Sequence, residues 1–233
     1  MQTGLGRTGR WWGFEHWGLE PDVITVVKSL SGGYVPAGAV IARREIYQKT
    51  FSRLDRCVVH SSTVGRNNLA MAAGLATLAV IDDEGLVERA REQGAELMGR
   101  LEGLKAKHSL IKEVRGLGLM IAIEFQEPRE LAMRLGWKLL HRVECELFAQ
   151  MIVTSLFQKH RITSQVAGHA MDVLKIIPPL IIGEREIGRF VGGLDDVLED
   201  CRRFPGPIWD LGANFLWDSM RGVTGGGNSV EVS

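Results

Sequence analysis

The sequence predicts an α/β fold, because segments with the patterns of strands and of helices alternate along most of its 233 residues. Short apolar runs rich in β-branched residues predict strands at 23–27, 37–42, 119–125, 152–156 and 173–177. Apolar residues at helical spacing predict helices at 67–81, 86–104, 137–150 and 184–201. We expect the first two strands to be buried, and we expect turns at 31–33 and 115–118.

The composition predicts a globular protein whose surface has no strong overall electrostatic field. Hydrophobic residues make up 45% and charged residues 24% of the chain, and 28 basic residues balance 28 acidic ones. A net charge of zero gives no general attraction for nucleic acid or an anionic membrane, so we expect neither as a partner. The apolar run 176–182 is too short to span a bilayer. The cysteines, Cys57, Cys145 and Cys201, lie far apart without a CxxC pair, which favours a reduced, cytoplasmic location.

Lys28 is the first candidate for chemistry, because it ends the apolar run 23–27 where a strand would emerge into a loop. In open α/β sheets, ligands bind at that edge. A lone lysine is usually a solvated surface charge. A lysine in a partly desolvated crevice, in contrast, can lose its proton, and a neutral amine can attack an aldehyde to form an imine.

Five motifs surround or follow this lysine in a fixed order. They are QTGLGRTG at 2–9, Pro21-Asp22 before Lys28 and SLSGG, HSSTVGRNN at 60–68, RGLG at 115–118 and IIPPL at 176–180. Any one of them is common, but together and in this order they resemble the class III aminotransferases, which are fold-type-I pyridoxal phosphate enzymes. The resemblance extends to about residue 201.

The resemblance implies a cofactor and a set of residues that bind it. Lys28 would hold pyridoxal 5'-phosphate as a Schiff base, the internal aldimine, and would act as general base once displaced. Gln2 would hydrogen-bond the 3-oxygen of the pyridine ring, and Ser62 and Thr63 would reach the cofactor phosphate of the neighbouring subunit. For Thr63 the alternative is a hydroxyl that satisfies a loop backbone. The implied enzyme is a homodimer with shared active sites that transfers an amino group from an amine or amino-acid donor to a keto or aldehyde acceptor.

The sequence departs from the family pattern at its amino end. The family has Asp-Glu-Val or a close variant before Gln-Thr-Gly, and that aspartate pairs with the pyridine nitrogen, whereas Met1 stands here in the third place. We expect the chain to be a carboxyl-terminal fragment, from a truncated gene product or an internal start, that lacks the aspartate and the phosphate-cup loop.

A second departure is Lys175, which stands where many family members that bind an amino-acid carboxylate have an arginine. A lysine cannot make the planar two-point contact of a guanidinium. Lys175 is therefore either a strand-end lysine in solvent or a weaker contact for a substrate anion. The substrate stays open, and an ω-amine such as a diamine, or a ketone on a larger carrier, fits as well as an α-amino acid.

We predict three parts of the chain: the carboxyl-terminal part of a large, mostly parallel-sheet cofactor domain at 1–82, a small α/β domain at 83–203, and an extension with a flexible tail at 204–233. Two alternatives to transfer remain, another outcome on the same cofactor (an aminomutase or racemase) and an inactive fragment that keeps only the dimer surface. His141 and Cys145 lie one helical turn apart, but without a third ligand they indicate a helix surface rather than a metal site.

Overall fold

The computed structural model describes residues 2–60, 65, 67–141, 147–168, 171–203, 206, 208–209 and 212, and the side chains of 132 and 139 lie outside the description. The chain forms two compact units. Unit 1 comprises Met1–Gly94, Leu117–Met120 and Pro179–Ile181, and unit 2 comprises Ala95–Gly116, Ile121–Pro178 and Ile182–Ser233. The predicted domain division at residues 82 and 203 stays a prediction.

Unit 1 contains a two-stranded antiparallel sheet. Strand β1 (Val23–Val27) pairs with β2 (Gly38–Ala42), with Val27 opposite Gly38. The expectation that both strands are buried is wrong, because only Val26 is buried, whereas Val40 and Ile41 are each about half exposed. The reason is that the described part of this unit holds no further strand beside the pair. Val26 is part of the small core with Leu5, Ile81 and Leu86, and Ile24 packs against it while staying only partly buried.

Three helices follow the hairpin: α1 (Arg44–Thr50), α2 (Asn68–Asp83) and α3 (Leu86–Lys107). The sequence did not predict α1, because none of its residues is buried and it therefore has no apolar periodicity. Asn67 caps α2, since its side-chain oxygen accepts a hydrogen bond of 2.8 Å from the backbone N–H of Ala70. Helices α2 and α3 lie close to the predicted ranges and extend slightly beyond them.

Unit 2 contains a four-stranded sheet in the order β3-β4-β6-β5. The strands are β3 (Ile111–Leu117), β4 (Met120–Phe125), β5 (Gln165–Val166) and β6 (Val173–Ile176), and β6 is antiparallel to both β4 and β5. The turn predicted at 115–118 is wrong, because β3 continues to Leu117 and only Gly118 and Leu119 connect it to β4.

The helices of unit 2 are α4 (Leu131–His141), α5 (Leu147–His160) and α6 (Glu184–Cys201), and α6 has the predicted bounds. The helix predicted at 137–150 corresponds to the end of α4 and the start of α5, and residues 142–146 lie outside the described residues. The strand predicted at 152–156 is wrong, since these residues are the middle of α5. This helix is buried around most of its circumference, so its sequence lacks a polar face that would reveal the helical period.

A single large core fills unit 2 and explains the order of its elements. Its fully buried side chains come from helices and strands alike, among them Leu97, Leu101, Ile121, Ile123, Phe148, Ile152, Leu174 and Leu194. Trp209 joins this core and its indole Nε1 donates to the carbonyl oxygen of Cys201 at 2.9 Å.

His141 is held by contacts to its own helix and to Asp172. Its Nδ1 lies 2.9 Å from the carbonyl oxygen of Trp137, its Nε2 pairs with the carboxylate of Asp172, and its ring stacks on Trp137 at 4.2 Å. Partial burial lowers the pKa of His141, but the bonds to Asp172 and to the Trp137 carbonyl outweigh this and raise the pKa above its usual value. Both ring nitrogens can donate only in the imidazolium, so the protonated form fits this structure.

These contacts predict a pH-dependent contribution of His141 to stability. Because the folded pKa is raised, the contribution is complete below the unfolded pKa of about 6.5 and is lost as the pH rises through the folded value. We expect His141→Gln to lower the free energy of unfolding by about 1 kcal/mol at pH 6 and by less at pH 9. Denaturant unfolding at the two pH values measures this difference. Asp172→Asn is the matched control and should remove the same pH dependence of stability. If His141→Gln lowered the free energy of unfolding equally at both pH values, the interpretation would be contradicted.

Candidate active site

Lys28 lies between the end of β1 and a short 3-10 turn at Ser29–Ser31, in an unusual backbone conformation. Its φ is 62° and its ψ is −87°, close to the γ-turn geometry that is rare and strained for a residue with a side chain. Such strain persists only where the surrounding structure fixes it, and it occurs preferentially at functional sites. Among the described residues from 10 to 160, Lys28 is the only non-glycine residue with a positive φ.

Backbone hydrogen bonds hold Lys28 in this conformation. Its N–H donates to the carbonyl oxygen of Ala37 at 3.3 Å, and its own carbonyl oxygen accepts from the N–H and the hydroxyl of Ser31, both at 3.5 Å. Ser31 is buried, and its hydroxyl also contacts the carbonyl oxygen of Val35. Gly32 follows with a φ of 66°, which a glycine adopts without strain. The loop from β1 to β2 is therefore fixed at both of its ends.

The side chain of Lys28 is exposed, and it forms no ion pair or hydrogen bond with any residue that the structure describes. Asp22, the nearest acidic residue along the chain, pairs instead with Arg43 at 2.9 Å. A primary amine on a fixed backbone, not neutralised by a carboxylate, suits reversible bond formation with a carbonyl compound.

The glycine-rich motif at 2–9 forms a tight loop beside β1. Gly4 pairs with Trp12 as an antiparallel bridge, and Leu5, Gly6 and Gly9 all have a positive φ. Gln2 lies at the exposed start of this loop, and no hydrogen bond joins it to Lys28 within the described part of the chain. A cavity of about 220 Å³ lies between loop and strand, with Thr3, Trp12, Phe14, Val23 and Thr25 among its lining residues.

The RGLG motif contacts this loop, although more than 100 residues separate them in sequence. The N–H of Leu119 donates to the carbonyl oxygen of Arg7 at 2.9 Å. A Cβ atom on Gly118 would lie 2.5 Å from the carbonyl carbon of Thr8, and one on Gly94 of α3 would lie 2.3 Å from the carbonyl carbon of Gly118. The motifs at 2–9 and 115–118 therefore lie side by side in the fold, and the contact between them is made by backbone atoms.

The comparisons with known proteins agree on one family. The model of the aminotransferase class-III family matches residues 1–198. The chain belongs to the class III aminotransferases. It is 36% identical over 202 residues to an acetylornithine aminotransferase of Caldanaerobacter subterraneus, covering 87% of this chain and 44% of that protein. It is 34% identical over 216 residues to a leucine/methionine racemase of Thermococcus litoralis, covering 93% of this chain and 44% of that protein.

Solved structures of the family give the same result. An S-selective transaminase from Arthrobacter sp. with alanine bound matches with a TM-score of 0.70 and 30% identity, over 84% of this chain and 42% of that chain. The predicted α/β class and the fold-type-I transferase fold are confirmed. The chain spans less than half the length of these relatives.

The residues of this class III chain fit pyridoxal phosphate, the cofactor of the family. The fit rests on the chemistry of Lys28, whose amine has no carboxylate partner among the described residues.

Ser62 and Thr63 lie outside the described residues. Lys175 lies in β6 of unit 2, half-buried and opposite Ala122 of β4. Neither a metal-binding cluster nor a helix long and apolar enough to cross a membrane occurs in the described residues.

Sequence reasoning missed the structural partners of the class III motifs. Helix α3 contains Gly94, Gly99 and Gly103, and of these three only Gly94 lies against the backbone of another segment. No local pattern distinguishes the three residues, since the difference depends on a loop that is distant in sequence.

We expect Gly94→Ala to destabilise the chain by about 3 kcal/mol, because the added methyl group would overlap the backbone of Gly118, which cannot rotate away. Gly99→Ala is the matched control in the same helix, with no atom near its Cβ position, and it should stabilise by about 0.5–1 kcal/mol through helix propensity. Denaturant unfolding of both variants measures the two effects. Equal stability of the two variants would contradict the described packing.

Proposed function

We propose that the protein containing this chain is a pyridoxal-phosphate-dependent aminotransferase that transfers an amino group from an amine or amino-acid donor to a keto or aldehyde acceptor. The observation that carries the proposal is the strained, fixed backbone of Lys28 with its unpaired amine, in a chain of the class III family. When bound, pyridoxal phosphate acts as the electron sink for the reaction at the substrate's amine-bearing carbon.

The chain's own residues have separate tasks in this proposal. Lys28 binds the cofactor through Nζ and, once the substrate amine has replaced it, moves a proton at the substrate carbon. The fixed backbone limits how far Nζ can move, which keeps the amine close to that carbon. Gln2 donates from its amide to the 3-oxygen of the ring, and Ser62 and Thr63 bind the cofactor phosphate of a neighbouring subunit.

A homodimer in the cytoplasm completes the proposal. Its support comes from apolar side chains that unit 1 exposes, among them Tyr34 and Leu54, each 92% exposed, and Leu75, which is 71% exposed. Apolar exposure of this extent is typical of surfaces that another protein surface covers. The free thiols of Cys57 and Cys201 are consistent with a reducing compartment.

A racemase is the second candidate, and the 34% identity to the leucine/methionine racemase supports it. The two reactions share the residues that bind the cofactor and differ in where the proton returns. Conversion of the cofactor to its pyridoxamine form on addition of an amine donor would favour transfer. Loss of optical activity without that conversion would favour racemisation.

Trapping of the cofactor tests the role of Lys28 directly. We expect that reduction of the chain with borohydride in the presence of stoichiometric pyridoxal phosphate places the phosphopyridoxyl group on the Lys28 peptide, because the family motif and the fixed backbone single out this lysine as the one that binds the cofactor. Mass analysis of the digested chain locates the label. Lys28→Ala should remove it, whereas Lys49→Ala, at an exposed lysine of α1, should leave it unchanged. Labels spread evenly over the surface lysines would overturn the assignment.

Lys175 is proposed as a one-point contact for a substrate anion. We expect Lys175→Arg to raise kcat/KM about tenfold for donors with an α-carboxylate, because a guanidinium binds a carboxylate at two points, and to leave a diamine donor unaffected. Steady-state kinetics of the active enzyme with a matched pair, ornithine and putrescine, measure the ratio. An equal change for both donors would show that Lys175 does not contact the carboxylate.

A further inference from the structure

A cavity in the described part of unit 2 lies apart from every predicted site residue. Its volume is about 450 Å³, within the range of small-molecule sites. The end of α3, the turn at 108–111, the start of α4 and Arg202 form its wall. None of the motifs that identified the family contributes to it.

Positive charge dominates the wall of this cavity. Five cationic side chains line it, from Lys105, Lys107, Lys112, Arg129 and Arg202, and the only carboxylate among its lining residues is Glu130. This concentration contrasts with the zero net charge of the whole chain. Clustered cations on a concave wall attract anions more strongly than the same charges on a flat surface, since the low-dielectric wall focuses the field.

Most of these cations have carboxylate partners that stand outside the wall. Lys107 pairs with Asp195 at 2.7 Å, Lys105 pairs with Glu102 at 3.5 Å, and Arg202 pairs with Glu199 at 3.4 Å. The pairs of Lys105 and Arg202 are exposed and weak, so an anion can compete for these two cations, whereas Lys107 stays bound to Asp195. Each carboxylate still cancels part of the local charge.

Arg129 has no carboxylate partner among the described residues, and it is exposed at the bend before α4. Two hydrogen bonds join the turn at Ser109 to neighbouring parts of the cavity wall. The hydroxyl of Ser109 donates to Glu130 at 2.8 Å, and the side-chain amide of Gln126 donates to the carbonyl oxygen of Ser109 at 3.0 Å. The carboxylate of Glu130 accepts the bond from Ser109 and forms no ion pair with Arg129 in the described part of the chain.

His108 anchors the floor of the cavity. Its side chain is buried, and Nε2 lies 2.6 Å from the same Asp195 oxygen that binds Lys107. The hydrogen bonds from Lys107 and His108 lower the pKa of Asp195, so this carboxylate stays ionised and holds both residues in place. Leu110, Ile111 and Met133 also line the cavity, and all three are buried.

We propose that this cavity binds a small organic phosphate, with Arg129 and Arg202 contacting the phosphate oxygens. A guanidinium is suited to two-point contact with a phosphate, and the lysines supply further charge. The volume of about 450 Å³ leaves room for a small organic group beside the phosphate. A metal cation is excluded by the five positive charges of the wall. The inference does not depend on the function proposed for Lys28.

Calorimetric titration with inorganic pyrophosphate at fixed ionic strength tests the proposal. We expect saturable binding at one site with a Kd below about 1 mM. Arg129→Glu and Arg202→Glu should each weaken binding at least about tenfold, because each removes a charge-assisted contact and adds repulsion.

Arg203→Glu is the matched control, since Arg203 is the exposed neighbour of Arg202, lies outside the cavity wall and undergoes the same change of charge. It should weaken binding by less than about twofold. Unchanged denaturant midpoints confirm that the variants are folded. The proposal is overturned if the unaltered chain shows no saturable binding, or if Arg203→Glu weakens binding as much as the two cavity variants do.

Discussion

Direct backbone contact at glycines positions the loop at 2–9 against α3 in unit 1. The apolar cluster of this unit has four buried side chains with partly buried residues such as Ile24 and Leu78 packed against them, and the backbone of Gly118 lies against both α3 and the loop. Backbones approach this closely only where no Cβ intervenes. The hydrogen bond from Leu119 to Arg7 then fixes the position of the loop along the helix. The packing of unit 1 therefore requires glycine at these positions of the motifs.

The conformation of Lys28 depends on this arrangement indirectly. Strand β1, which ends at Lys28, contributes Val26 to the same small core as Leu5 of the glycine-rich loop. The turn after Lys28 contacts α2, and the carbonyl oxygen of Leu30 lies 3.6 Å from the Cβ position of Gly74. A strained residue needs neighbours that over-determine it, and these contacts, together with buried Ser31, provide them.

The sequence alone predicts the structural features that depend on neighbouring residues in the chain. The α/β class, the bounds of α6 and the position of Lys28 at a strand end follow from local patterns, and the structure agrees with them. Helix α5 could not be separated from a strand, because its burial removes the polar face that marks the helical period. The exposure of β1 and β2 and the distinct role of Gly94 depend on neighbours distant in sequence, which a single sequence does not reveal. The cavity that Arg129 and Arg202 line has no sequence motif, because its wall comes from segments that are distant in sequence.

The two units differ in how completely they bury their apolar surface, and this difference bears on where function resides. Unit 2 has a large core, whereas most of the exposed large hydrophobic residues belong to unit 1, including Trp17, Tyr34, Leu54 and Leu75. Exposed apolar surface of this extent favours association, since burying it is favourable by about 25 cal/mol per Å². Lys28 lies in the unit whose surface remains to be covered. Under the function proposed above, Lys28 would need water-excluded surroundings, and a surface that covers unit 1 would supply them.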